Sequence, residues 1–154
     1  MIITPTYTSK QFWLTASLSG VLLSVVLSIV YIIFYERLYV ESSYLFSVIY
    51  LIPFVWISAT SAFFKWKFVY SEFSYGQAFL LGFLCGLTAS LLFSGAVYFA
   101  YAYIGLESRI DIYNVGERYR YLFSPKATAL SFLVINVALT LFYSLIIAIF
   151  ARKK

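Results

Sequence analysis

The sequence predicts an all-α integral membrane protein with four transmembrane helices in a single membrane domain, residues 1–154. Three observations predict it. Of 154 residues, 63% are hydrophobic and 11% charged, against about 45–50% and about 25% in soluble domains. The mean hydropathy is +0.91. The apolar residues form four continuous runs, at about 12–35, 44–64, 78–104 and 127–151. Each is about 20 residues or longer, the length a helix needs to cross the hydrocarbon core. A transmembrane barrel would show alternating segments of about ten residues instead.

The first run carries no charge and would rise about 36 Å as a helix at about 1.5 Å per residue. It is too long for the apolar stretch of a signal peptide, so a retained anchor is expected. Thr8 and Gln11 have capping-box spacing and start the helix near Ser9. Ser42 or Ser43 can cap the second run. Pro53, near its middle, removes a backbone donor and crowds the carbonyl of Ile49, which predicts a kink. The third run follows Ser74 and Gln77, a second capping box. The fourth opens on Ser124-Pro125, an N-cap followed by proline at the first helical position, and ends at Arg152-Lys153-Lys154. Between the third and fourth runs lies a polar loop, about residues 106–123, read as an interfacial helix or a helical extension of the third run.

Two ridges of small residues mark helix-packing faces. Ala16, Gly20, Ser24 and Ser28 recur every four residues in the first run, as do Gly82, Gly86, Ser90 and Ser94 in the third. Such spacing lets a neighbouring helix approach closely. Shifting the first run by 66 positions superposes the two ridges and the two capping boxes. A shift of 86 lays the second run on the fourth, leaving 20 additional residues between the third and fourth runs. The reading is two helix pairs repeated in parallel about an axis along the membrane normal. The first and third helices are then expected to meet through their ridges.

The net charge is +5 with a pI near 9.3. In a membrane chain this points to basic loops beside anionic lipid rather than to nucleic acid. With four spans, Lys10, Lys65, Lys67, Arg152, Lys153 and Lys154 share the side of the termini; Arg37, Arg109, Arg118, Arg120 and Lys126 take the other. The six-to-five count and the acids, of which only Glu72 lies on the side of the termini, both lean toward termini in the cytoplasm, which is the orientation expected. Trp13, Trp66, Tyr70 and Tyr75 form one expected aromatic belt, and Tyr35, Tyr39, Tyr44, Tyr101 and Tyr103 the other.

Little catalytic chemistry is written in the chain. There is no histidine, and the one cysteine, Cys85, sits mid-span as a small buried residue. No acid or base lies inside any run, which argues against proton-coupled transport. Glu107, Asp111 and Glu117 alternate with arginines and read as a solvated, salt-bridged segment. Asn136 is the most polar core residue and reads first as a bond between helices. The many span serines and threonines can bond their own helix carbonyls. No enzyme activity, metal or cofactor is predicted.

Tyr75-Gly76-Gln77-Ala78-Phe79 leading into the third run, with Ser124-Pro125 opening a last span that closes on Arg152-Lys153-Lys154, resembles a bacterial inner-membrane domain-of-unknown-function family (number four-one-nine-nine). The resemblance covers most of the chain. It implies a small four-helix protein of the bacterial inner membrane without assigned activity. Together these features predict a non-enzymatic assembly or accessory subunit, with membrane lipid and a membrane-protein partner or a second copy as its contacts. The alternative is a small transporter or channel for an uncharged or weakly charged solute, with Pro53, Trp56 and Asn136 along its path.

Overall fold

The computed structural model describes residues 7–40, 43–69, 72–103 and 124–152, with side chains for all of these except 34–40 and 43–46. The polar loop, with Glu107, Asp111 and Glu117, lies outside the described residues. The four helices are α1 (Ser9–Val40), α2 (Ser43–Phe68), α3 (Tyr75–Tyr103) and α4 (Pro125–Ala151). Each holds a span long and apolar enough to cross a membrane. α1 and α2 run past the ends of their apolar segments, because backbone hydrogen bonding does not stop where the side chains turn polar. α2 passes through Pro53 as one helix, with the proline buried.

The helix starts follow from local chemistry. The Thr8 N–H donates to Gln11 Oε1 at 2.8 Å, and the Gln11 N–H donates to Thr8 Oγ1 at 3.2 Å. Ser74 and Gln77 repeat the pattern at 2.9 and 3.2 Å. Each box satisfies two orphan donors of a first turn. Ser124, with extended backbone, accepts from the Ala127 N–H, and Pro125 fills the first helical position.

Neighbouring helices surround the bundle in the order α1, α3, α4, α2, with α2 and α3 touching across the short diagonal and α1 and α4 scarcely in contact. The α3/α4 seam is the most extensive and the α1/α3 seam second. α3 and α4 run antiparallel. A methyl group placed on Gly82 would lie 3.0 Å from Ser144 Oγ, and one on Gly86 would lie 2.5 Å from Thr140 Oγ1. Each step of four residues up α3 thus meets a step of four down α4. Ser94 continues the seam, its Oγ donating to the Ala129 carbonyl at 2.8 Å, and the Tyr75 hydroxyl donates to the Leu145 carbonyl at 3.2 Å.

The two small-residue ridges therefore do not meet each other. The α3 ridge faces α4, with Ile57 of α2 also pressed against Gly82. The α1 ridge instead meets a different face of α3: a methyl on Gly20 would lie 2.5 Å from the Cys85 carbonyl oxygen and 2.7 Å from Thr88 Cβ. α1 and α3 are neighbours, as expected, but not ridge on ridge. The expected two-fold arrangement is also not what the helices adopt. It would make α1/α4 equivalent to α2/α3, whereas α2 and α3 pack and α1 and α4 scarcely touch. The physical reason lies in α4. Thr140 and Ser144 offer a strip of small side chains that occupies the α3 ridge, while Gly20 of α1 packs on Cys85 and Thr88.

Aromatic clusters close the two ends of the core. Tyr31, Phe93 and Phe132 tie α1, α3 and α4 edge to face, with ring centroids 5.3–5.8 Å apart. At the other end Tyr7 packs on Phe64 at 5.0 Å, with Phe12 and Phe73 beside it. Burial there pushes the Tyr7 phenol above its ordinary pKa, so it stays protonated. Trp13, Trp66 and Tyr75 are exposed at that end and Tyr103 at the opposite one. Tyr101, expected in the belt, is instead buried in the core.

Overpacking costs about 1–3 kcal/mol, against a gain of about 1 kcal/mol for replacing a helical glycine by alanine. Gly20→Ala should lower the thermal midpoint in detergent, because its methyl meets a backbone carbonyl that cannot rotate away. Gly86→Ala should lower it comparably, since its methyl would meet Thr140 Cβ at 2.9 Å, an atom that side-chain rotation does not move. Gly95 has nothing within 4 Å, so Gly95→Ala should leave the midpoint unchanged or raise it.

Candidate functional site

The most connected polar site among the described residues joins α1 to α2. Ser19 comes from α1, and Trp56 and Thr60 from α2. Residues 56 and 60 stand one helical turn apart and so share the α2 face turned toward α1. Trp56 Nε1 donates to Ser19 Oγ at 2.9 Å and to the Ser19 carbonyl at 3.1 Å. The Ser19 and Thr60 hydroxyls are hydrogen-bonded to each other, and Thr60 donates its proton to the Trp56 carbonyl at 2.9 Å. One proton per hydroxyl then fixes the direction: Trp56 N–H to Ser19, Ser19 O–H to Thr60, Thr60 O–H to the Trp56 carbonyl. The circuit closes on itself. Cys85 of α3 is buried as a free thiol.

This circuit floors an outward-facing groove of about 390 Å³ between α1 and α2, walled by Leu18, Leu22, Ala59 and Phe63. A closed circuit holds no spare donor for a polar guest and no base to activate a nucleophile. Its bonds join α1 to α2 in a low-dielectric setting where such bonds reinforce one another. A second groove, of about 340 Å³, lies between α2 and α4 and includes Phe54, Ser61, Lys65 and Phe150.

The residues proposed for a polar path are not gathered around either groove. Trp56 lines the first, whereas Pro53 and Asn136 line neither. Asn136 is buried; its Nδ2 donates to the Phe132 carbonyl of its own helix at 2.8 Å, and its Oδ1 has no hydrogen-bond partner. It thus makes a local bond where one between helices was expected. Of the packing residues, Ala16, Gly20, Ser24, Gly82, Gly86 and Ser90 are buried, and Ser28 and Ser94 half-buried. Ser24, Ser28 and Ser90 bond carbonyls of their own helices.

Ser19, Thr60, Thr140 and Ser144 were not singled out by sequence reasoning. A signal for the last two exists: Asn136, Thr140, Ser144 and Ala148 recur every four residues, the same spacing as the α3 ridge. The Ser19–Thr60 link has no such signal, since it depends on the α1/α2 register. No family model, curated protein or solved structure matches the chain.

Hydrogen bonds between membrane helices contribute about 0.6 kcal/mol on average and about 1.7 at most. A double-mutant cycle on Ser19→Ala and Trp56→Phe, read from unfolding in mixed micelles, should give a coupling energy in that range. Additive effects would mean that the two groups do not form one circuit.

Proposed function

We propose that the chain is a non-enzymatic assembly or accessory subunit of a bacterial inner membrane, with both termini cytoplasmic. The observation that carries this reading is where space occurs. The α3/α4 seam is closed by glycines against Thr140 and Ser144, while the two grooves lie at helix boundaries, along α2. A protein built this way acts through its sides. The absence of histidine and of charge within the apolar runs supports a role without proton transfer. The likeness of Tyr75-Gly76-Gln77-Ala78-Phe79 and Ser124-Pro125 to the small inner-membrane family supports the location, and the six-to-five bias in basic residues supports the orientation.

The second reading, a transporter for an uncharged or weakly charged solute, draws on the unpartnered Asn136 Oδ1. It requires a polar path along α4. Thr140, one turn from Asn136, is pressed against Gly86, and this favours the assembly reading.

Native mass spectrometry of the chain released from its own membrane in mild detergent should show a complex larger than one copy. Crosslinks from that complex should map to α2, the helix that borders both grooves. A lone monomer that acquires no crosslinks in the membrane would contradict the proposal.

A further inference from the structure

We propose that the groove between α2 and α4 is a binding site for an anionic phospholipid, with one acyl chain in the groove and the phosphate on Lys65. This goes beyond the assembly reading and does not depend on it. The groove, about 340 Å³, falls within the range of about 300–1,000 Å³ typical of small-molecule pockets. Phe54, Ile146, Ile147 and Phe150 make its walls apolar, which suits a hydrocarbon chain. Lys65 also lines it, three residues from the end of α2. Its stem can lie along the apolar wall while the ammonium reaches headgroup depth. Lys65 pairs with no acid among the described residues.

Two further observations point to a ligand. Ser61 lines the same groove, one turn below Lys65; it is only 1% exposed and its Oγ has no hydrogen-bond partner. A buried hydroxyl without a partner costs free energy unless something supplies one, and an ester or glycerol oxygen would. The charge at this end of the bundle is also complementary to an anion. Lys10, Lys65, Lys67 and Arg152 gather where α1 and α3 begin and α2 and α4 end, against Glu72 as the one acid among the described residues there. Basic pockets between transmembrane helices are known sites for anionic headgroups. Lys67, by contrast, lies over the rings of Phe63 and Phe68, 5.3 and 5.5 Å from their centroids, and does not line the groove.

The test is native mass spectrometry of the full chain in detergent, titrated with dioleoyl phosphatidylglycerol or dioleoyl phosphatidylcholine. Phosphatidylglycerol should bind more tightly than phosphatidylcholine. Lys65→Ala should weaken phosphatidylglycerol about fivefold, the effect of about 1 kcal/mol per lysine at a membrane surface, and should weaken phosphatidylcholine, whose headgroup carries no net charge, by less. Lys67→Ala should change neither. Ala62→Trp, an exposed position on the groove's rim, should block both lipids while the protein remains helical and monodisperse. Equal losses from Lys65→Ala and Lys67→Ala would show general surface charge and overturn the site. Displacement of the lipid by inorganic phosphate would show a free-anion site and also overturn it, as would undiminished binding by a folded Ala62→Trp protein.

Discussion

The contact of the α3 glycine ridge with the α4 hydroxyl strip is the constraint on which the rest of the bundle depends. In a membrane, apolar side chains gain nothing by leaving lipid for protein, so helices associate through close packing and interhelical bonds. Gly82 and Gly86 let α4 come close enough for Ser144 and Thr140 to fill the space where their side chains would be. That contact sets the antiparallel register of α3 and α4. With the register set, Ser94 reaches the Ala129 carbonyl, Tyr75 reaches the Leu145 carbonyl, and Phe93 meets Phe132. α1 then packs on the remaining face of α3, with Gly20 over the Cys85 carbonyl.

α2 is held differently. Its Ile57 packs on Gly82 of α3, and its other attachments are polar and aromatic. The Trp56–Ser19–Thr60 circuit fastens it to α1, and the Tyr143 hydroxyl, donating to the Tyr50 carbonyl at 3.0 Å, fastens it to α4. Long side chains hold helices farther apart than glycines do. Both of these grooves border α2.

The helix number, the three caps and the burial of Cys85 were legible in the sequence because each depends on local chemistry or on composition. Thr8 with Gln11, Ser74 with Gln77 and Ser124 with Pro125 act within one turn, and no distant residue has to be known. The ridges were legible as packing faces but not as pairs. Gly20 and Gly86 look alike in sequence, yet one meets a backbone carbonyl and the other a threonine. Which face meets which helix depends on the order of helices around the bundle, and apolar periodicity does not encode it. The same holds for Trp56. Its indole N–H needs a partner, but Ser19 as that partner follows only from the α1/α2 register.

The most direct test of the α3/α4 seam is a disulfide formed across it. A Cβ on Gly82 would lie 3.4 Å from Ser144 Cβ, close to the separation of about 3.5–4.5 Å that a disulfide spans. In a Cys85→Ala background, the pair Gly82→Cys and Ser144→Cys should crosslink rapidly under mild oxidation in the membrane. The pair Gly20→Cys and Gly86→Cys should not. Efficient crosslinking of the second pair and none of the first would show that the two glycine ridges face each other, and would contradict the seam described here.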